Sequence, residues 1–268
     1  MNFHSDEWIM ERVREHYNEA LEYFPEDRIV CLVLQGSQNY GLDYECSDID
    51  TKLIVTPTFK EIAMNHKPVS TTHIRANEEH IDFKDIRLYI QTFRKQNLNF
   101  LEILFSKYCI VNPIYEAEWD RLVEAREEIA HYSPVQAIKS MRGIAKEKYF
   151  AMEHHYPSRM EWINKFGYDP KQLHHLIRVR EYIERYIHGE SYANCLLSLQ
   201  ADFLKHVKGG CYRLEDARWV AKTSIDRIDR MCEEHLETCS HEVDETVNAL
   251  LDDVQYNIMK IAIEKEIR

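Results

Sequence analysis

Two aspartates separated by one apolar residue, Asp48 and Asp50, are the side chains whose type and spacing best suit chemistry. In an extended strand, residues two apart point to the same side, so both carboxylates are expected on one face while Ile49 points into the core. Carboxylates this close repel each other unless a cation neutralises them. Mg²⁺ prefers such hard oxygen ligands together with substrate phosphates. The pair therefore predicts a site for Mg²⁺ (or Mn²⁺).

A third carboxylate from a neighbouring strand normally completes a site that holds two metal ions. Asp82, flanked by Ile81 and Phe83, has the apolar-acid-apolar pattern expected of it. Asp85 is the alternative, but it points to the opposite face if the strand continues, and it looks like the N-cap of a following helix. We therefore favour Asp82. The predicted catalytic and metal-binding residues are Asp48, Asp50 and Asp82.

A Gly-Ser pair precedes the aspartates at the end of an apolar run. A glycine lets backbone amides approach a ligand closely, and such amides together with the Ser37 hydroxyl can hold phosphate oxygens. Gly36 and Ser37 are therefore predicted to bind phosphate. Lys52 follows Asp50 by two residues on the same strand face, where it can screen the carboxylates or contact a phosphate.

The elements that position these residues read as a small sheet. Residues 5–24 have the apolar spacing of an amphipathic helix, and a continuous apolar run with β-branched residues then predicts a buried strand that ends before Gly36. The last two strands are predicted to form a hairpin across Asn77. The expected strands cover residues 29–34, 52–56, 72–74 and 80–83.

After Pro113 the pattern is almost entirely helical. Helices are expected over residues 116–130, 134–155, 170–188, 191–207 and 214–267. The chain is thus expected to have an α+β fold: an N-terminal domain with a small mixed sheet, residues 1–115, followed by an all-α domain, residues 116–268.

The composition limits the partners. The chain has 268 residues and a formal net charge of −12, so any polynucleotide has to be held by a local basic patch. Seven cysteines, an odd number without a Cys-x-x-Cys pair, indicate reduced thiols and a cytoplasmic protein. We expect no signal peptide and, without a run of about 20 apolar residues, no membrane partner.

Residues 34–41 (LQGSQNYG), followed by residues 47–50 (SDID), resemble a known signature. Gly-Ser, a spacer, Asp-x-Asp and a later acid on another strand are typical of the DNA polymerase β-like nucleotidyltransferases. The chain is more similar still to their branch of predicted bacterial and phage members, in which a Tyr-Gly pair follows Gly-Ser and a later segment is similar to residues 95–106 (KQNLNFLEILFS). The resemblance covers residues 29–106 strongly and 169–189 weakly.

This resemblance implies a minimal sheet with flanking helices and two-metal transfer of a nucleoside monophosphate from a nucleoside triphosphate (NTP), with release of pyrophosphate. By the same resemblance Gly36 and Ser37 bind the triphosphate, and the third acid polarises the acceptor hydroxyl. Members of this branch also carry a helical motif similar to Lys171, His174 and Arg178, which predicts that these residues bind the nucleotide. A solvated basic face is the alternative for them.

Other functions remain open at this stage. The acceptor can be an RNA 3′ end, a protein side chain or a small molecule. A second hypothesis is a nucleotide-binding sensor, or a partner in a toxin–antitoxin or defence pair, without turnover; the three acids argue for an enzyme. A third is a ribonuclease centred on Arg126 and His131, whose Arg-x4-His spacing is similar to that of HEPN ribonucleases.

Overall fold

The computed structural model describes residues 3–45 and 47–267, and the chain divides into two compact units. The first comprises Met1–Ser133 with Glu242–Arg268, and the second Pro134–His241. A five-stranded mixed sheet with helices makes up the first unit, whereas the regular elements of the second are all helical in its described residues. The predicted α+β fold class, with a mixed sheet followed by a helical part, is confirmed.

The sheet contains the four predicted strands and one more. The strands are β1 (Ile29–Gln35), β2 (Asp50–Val55), β3 (Ser70–Ile74), β4 (His80–Asp85) and β5 (Cys109–Val111). Their order is β3-β4-β2-β1-β5, with β2 parallel to β4 and every other pair antiparallel. The additional strand, β5, has three half-buried residues, too few to show an alternating pattern.

Thirteen α-helices accompany the sheet in the described residues. The first unit contains α1 (Asp6–Ala20), α2 (Phe59–Ala63), α3 (Ile86–Arg94), α4 (Leu98–Leu101), α5 (Glu116–Glu124) and α6 (Arg126–Ala130). The second contains α7 (Pro134–Ala151), α8 (Met160–Phe166), α9 (Pro170–Ile187), α10 (Tyr192–Leu196), α11 (Ala201–Lys208) and α12 (Leu214–Thr238). The chain returns to the first unit with α13 (Glu245–Ile267).

The two faces of the sheet differ in polarity. On one face, Leu53 and Phe83 join the buried core that packs against Ile9 and Val13 of α1. Because side chains alternate along a strand, residues one position away lie on the opposite face. That face carries five polar residues of β2 and β4: Asp50, Lys52, His80, Asp82 and Lys84.

The last helical stretch differs from its prediction. Residues 214–267 were expected to be continuous, but residues 239–244 separate α12 from α13. The connecting segment ends at Asp244, which caps α13. The Asp244 side chain accepts hydrogen bonds from the N–H groups of Thr246 and Val247 at 2.9 and 3.1 Å.

The C-terminal helix α13 packs against α3 and α5. Ion pairs from Arg94 to Asp252 and from Arg121 to Asp253 accompany this packing. Residues 116–133 and 242–268 therefore belong to the compact unit of the sheet, rather than to the helical unit. The predicted division into residues 1–115 and 116–268 stays a prediction about the extent of the catalytic domain.

The second unit is built around α9, which packs against α7, α11 and α12. Pro170 begins this helix and Asp169 caps it, while both oxygens of Asp169 accept hydrogen bonds from Arg159 at 2.6 and 2.7 Å. Within the described residues, no helix combines the length and apolar character needed to cross a membrane.

Candidate active site

A tight turn follows β1 at the predicted phosphate-binding pair. Gly36 has φ 113° and ψ −161°, a backbone conformation that is essentially restricted to glycine. A Cβ atom built there would only meet Gln38 Oε1 at 3.6 Å, so the backbone conformation, not lack of space, requires glycine. Ser37 begins a 3₁₀ turn, Ser37–Tyr40, which ends at Gly41 in the left-handed region.

This turn is tied to the aspartate segment. Gln38 is buried, and its Nε2 donates a hydrogen bond to the backbone oxygen of Asp48 at 2.8 Å. The last residue of β1, Gln35, pairs with Asp50, the first residue of β2. The Gly36-Ser37 turn therefore lies next to the Asp48–Asp50 segment, as a site that holds both phosphate and cation requires.

Asp48 and Asp50 are accessible, but only Asp50 belongs to a strand. Ile49 is fully buried between them, as predicted. Asp48 precedes β2 and is exposed, so strand alternation alone does not put both carboxylates on one face. Asp50 is 43% exposed, and its Oδ1 accepts hydrogen bonds from the backbone N–H and the Nδ1 of His80 at 3.0 and 3.1 Å.

Asp82 lies on the same sheet face as Asp50. It pairs with Lys52 in the parallel register of β2 and β4, and Lys52 is two residues from Asp50. Strand spacing puts the Cα atoms of Asp50 and Asp82 roughly 8 Å apart.

Both oxygens of Asp82 already have hydrogen-bond donors. Lys52 Nζ donates to Oδ2 at 3.0 Å, and Thr72 Oγ1 donates to Oδ1 at 2.6 Å. Burial raises the pKa of Asp82, but the charge of Lys52 and the two hydrogen bonds outweigh it, so the pKa is lowered below its ordinary value. The carboxylate is thus held in its charged form.

Asp85, the alternative third acid, has a structural role. It pairs with Val55 and so lies on the face opposite Asp82. As predicted, it caps α3: its Oδ1 accepts the N–H of Arg87 at 2.8 Å, and the Arg87 guanidinium binds both carboxylate oxygens. Of these two acids, Asp82 is the one on the face of Asp50.

Lys52 is buried rather than directed to solvent. Its side chain is 3% exposed, and its Nζ lies 3.0 Å from Asp82 Oδ2 and 4.3 Å from the ring centroid of Phe100. The structure thus shows Lys52 screening Asp82. Its predicted contact with a nucleotide phosphate stays a prediction.

Beneath the aspartate segment, Glu79 is the centre of a buried polar network that the sequence did not reveal. Its side chain is 8% exposed, and its Oε1 accepts the backbone N–H of Ile49 at 3.3 Å. Its Oε2 accepts hydrogen bonds from four side chains: Arg12 at 2.5 Å, His16 at 2.9 Å, Arg75 at 2.7 Å and Asn77 at 2.8 Å. Glu79 therefore anchors the residue between the two predicted metal ligands.

The donors around Glu79 also set its ionisation. Burial raises the pKa of Glu79, but hydrogen bonds from His16, Asn77 and Arg12 lower it to about 2. His16 extends the network, since its Nδ1 lies 2.9 Å from Thr51 Oγ1, next to Asp50. A histidine at a core position of the amphipathic helix α1 was the signal in the sequence for this network.

The donor chemistry of the site fits a hard divalent cation in part. Asp48 and Asp50 offer accessible carboxylates, and no described residue donates a hydrogen bond to Asp50 Oδ2. Asp82 accepts one hydrogen bond on each oxygen, from Lys52 and Thr72, and each oxygen keeps a second lone pair with which it could serve as a third ligand. In residues 3–45 and 47–267 as they stand, no three His, Cys, Asp or Glu side chains form a metal-binding cluster.

The predicted motif of α9 belongs to the second unit. His174 is buried and its Nδ1 donates to the carbonyl oxygen of Leu204 at 2.8 Å. Burial lowers the pKa of His174 to about 4, so the ring is neutral near pH 7. Lys171 is exposed and Arg178 is half-buried. Nucleotide binding by Lys171, His174 and Arg178 stays a prediction.

Arg126 and His131 make local contacts at the two ends of α6. Arg126 Nη1 donates to the carbonyl oxygen of Val123 at 3.1 Å, and its guanidinium lies 5.6 Å from the ring centroid of Phe105. His131 Nδ1 donates to the carbonyl oxygen of Glu127 at 2.8 Å. These contacts are those of a short helix and give no support to a ribonuclease site.

Comparisons with known proteins add little to this geometry. No family model matches the chain, and no curated protein matches it either. Among solved structures, it is similar to a nucleotidyltransferase-like protein from Exiguobacterium sibiricum 255-15, with 8% sequence identity, coverage of 84% of this chain and 75% of that protein, and a TM-score of 0.30. A likeness of this degree carries no weight for the activity.

Proposed function

We propose that this chain is a metal-dependent nucleotidyltransferase, which transfers a nucleoside monophosphate from an NTP to an acceptor. One observation carries the proposal: the Gly36-Ser37 turn adjoins Asp50, and Asp50 and Asp82 share one face of two adjacent strands. A phosphate-binding turn beside two convergent carboxylates supports phosphoryl-type chemistry.

In the proposed reaction, an acceptor oxygen attacks the α-phosphorus of the NTP. The bond from this phosphorus to the oxygen that bridges to the β-phosphorus breaks, and pyrophosphate leaves. The backbone amides of the turn and the Ser37 hydroxyl bind phosphate oxygens, and Asp48 and Asp50 are the residues that would hold Mg²⁺ or Mn²⁺. A bound cation would supply positive charge to offset the negative charge of the triphosphate and of the leaving pyrophosphate.

Asp82 faces the acceptor in this scheme. Its lowered pKa keeps it charged, so it can accept a hydrogen bond from the attacking hydroxyl. Each Asp82 oxygen has one donor at present, Lys52 or Thr72, and keeps a second lone pair for this interaction. His80 donates two hydrogen bonds to Asp50 Oδ1, so Asp50 Oδ2 is the oxygen that would bind the cation.

The contacts of Asp82 are also compatible with one alternative. If Lys52 and Thr72 hold Asp82 for a structural reason alone, the chain binds nucleotide without turnover, as a sensor or as a partner in a toxin–antitoxin or defence pair. The intact Gly36-Ser37 turn is common to both functions.

The test is incubation with each α-labelled NTP and Mg²⁺ or Mn²⁺, with total RNA, cell lysate protein and small-molecule extract as separate acceptors. Transfer of label that requires the metal and an intact Asp48–Asp50 pair supports the transferase and identifies the acceptor class. Nucleotide binding without label transfer or pyrophosphate release supports the sensor instead.

A further inference from the structure

Beyond Asp82, two lysines lie against one aromatic ring on the charged face of the sheet. The Nζ atoms of Lys52 and Lys84 lie 4.3 and 4.1 Å from the ring centroid of Phe100. Lys84 is two residues from Asp82 on β4, so both side chains are on the same face. The two ammonium groups and the ring thus form a compact cluster, which we call the Lys84 cluster.

The two ammonium groups of the Lys84 cluster differ in their partners. Lys52 donates to Asp82 Oδ2, and the other oxygen of Asp82 accepts from Thr72. Lys84 Nζ has no hydrogen bond or ion pair to any residue in 3–45 or 47–267; its contact is the Phe100 ring.

A cation–π contact alone explains this arrangement less well than an anion does. One ring can stabilise one ammonium over its face. Two ammonium groups on the same ring repel each other, and half-buried Lys84 gains no hydrogen bond from the ring for its lost hydration. A group with several negative oxygens, such as a phosphate, can accept a hydrogen bond from Lys84 and neutralise its charge.

The cluster is separate from the phosphate-binding turn. Gly36 follows Gln35, which pairs with Asp50, whereas Lys84 pairs with Ile54, four residues farther along β2. Strand geometry makes this offset roughly 13 Å along the sheet, with two strand spacings added across it. A phosphate at Lys84 therefore lies past Asp82, on the side away from the turn.

We propose that Lys84, with Lys52 and Phe100, forms a second phosphate subsite, which binds a phosphate of the acceptor. The assignment to the acceptor rests on the proposed function, in which Asp82 faces the attacking hydroxyl. The acceptor class is then a molecule that carries a phosphate near this hydroxyl, as a polynucleotide end does. In a chain of net charge −12, the Lys84 cluster supplies the local positive patch that such a strand requires.

The test measures equilibrium binding without turnover, for a labelled short single-stranded RNA and for the α,β-methylene analogue of ATP. The variant is Lys84→Met, which removes the charge and keeps an unbranched apolar chain against Phe100. Lys60→Met, at an exposed lysine of α2, is the matched control. Unfolding midpoints in urea establish that each variant is folded.

We expect Lys84→Met to weaken RNA binding about tenfold or more, because a charge-assisted hydrogen bond to phosphate is lost. The slope of log affinity against log salt should fall by about 0.7, as for one phosphate contact on a single strand. ATP-analogue binding should stay within about twofold, and Lys60→Met should change neither ligand.

Unchanged RNA affinity and salt slope in the Lys84→Met protein would overturn the proposal. Weakened binding of the ATP analogue with unchanged RNA binding would overturn the acceptor assignment, because the phosphate then belongs to the nucleotide. Both readouts measure binding, and neither requires transfer. If Lys84→Met loses RNA binding while the original protein shows no transferase activity, the proposed function is refuted but the phosphate subsite is supported.

Discussion

Carboxylates on the two sides of the Asp48–Asp50 segment have opposite environments. On the side of α1, Glu79 is 8% exposed and accepts hydrogen bonds from five residues: Arg12, His16, Ile49, Arg75 and Asn77. On the other side, Asp48 is exposed and Asp50 is 43% exposed, with His80 as its donor among the described residues. The buried acid is surrounded by donors, whereas Asp50 keeps acceptor capacity at its Oδ2 atom.

This difference separates a carboxylate that supports the fold, Glu79, from one that can bind a cation, Asp50. A carboxylate that is saturated with fixed donors has no lone pair for a cation, but it holds the backbone rigidly. Asp50 keeps one oxygen available for a cation, and it is held by fewer hydrogen bonds than Glu79. Asp82 is intermediate, because it accepts two hydrogen bonds, from Lys52 and Thr72, and is partly exposed.

Removing the buried acid should have the largest effect on folding. Glu79→Ala leaves Arg12, Arg75 and His16 without their shared partner, and we expect the free energy of unfolding to fall by about 3 kcal/mol. Urea denaturation followed by circular dichroism measures it. Glu11→Ala, at an exposed glutamate of α1, should cost less than about 0.5 kcal/mol. Equal losses in both variants would contradict the supporting role of Glu79.

The exposed acids could be predicted from the sequence, whereas the Glu79 network could not. Asp48, Asp50 and the Gly36-Ser37 turn are close in sequence, so local spacing sufficed to propose them. The Glu79 network joins α1 to the β3–β4 hairpin, with sequence separations as long as 67 residues, and a single sequence does not show which distant side chains meet.

The fold shows the same limit. Three of the predicted strands, β1, β2 and β4, have runs of apolar or alternating residues. The three residues of β5 have no period of their own and depend on pairing with β1. The Asp85 cap was predictable because an aspartate directly preceded a helical pattern. Lys84 was not singled out, since its ring partner Phe100 lies on another element.

The ionisation of Glu79 should also make the free energy of unfolding depend on pH. Because the pKa of Glu79 is about 2 in the folded state and 4.5 ordinarily, the unfolded chain binds the proton first as the pH falls. Glu79 thus contributes stability above pH 4.5 that is lost towards pH 2, by about 2 kcal/mol, since each pKa unit is worth about 1.4 kcal/mol and the arginines are partly exposed.

Glu79→Gln isolates this contribution. The difference in unfolding free energy between the original protein and the Glu79→Gln variant, measured in urea, should shrink between pH 5 and pH 2 by about that amount. A difference that stays constant over this pH range would show that Glu79 is not held in its charged form.

His80 follows Glu79 in the sequence and contacts Asp50, and we expect its substitution to have a smaller effect, on activity. His80→Ala removes the ring donor of Asp50 and keeps the backbone N–H, so kcat/KM for pyrophosphate release should fall about tenfold, or about 1.4 kcal/mol. His80→Asn, which restores a side-chain donor, should recover part of this loss. Full activity in His80→Ala would exclude a positioning role.

The smallest effect on folding is expected at the exposed acid itself. Asp50→Asn keeps the size of the side chain and its acceptor oxygen for His80, so the free energy of unfolding should change by less than about 0.5 kcal/mol. Urea denaturation in parallel with Glu79→Ala gives the comparison directly. A loss as large as that of Glu79→Ala would mean that Asp50 supports the fold.

If Asp48 and Asp50 perform metal-dependent transfer, removing their charges should abolish it. The most direct measurement is pyrophosphate release from NTP with Mg²⁺ in the original protein and in the Asp48→Asn/Asp50→Asn double variant. Asp120→Asn, at an exposed acid of α5, is the control. We predict a loss of about 1,000-fold or more in the double variant, with no change in Asp120→Asn. Undiminished release in a folded double variant would contradict the account.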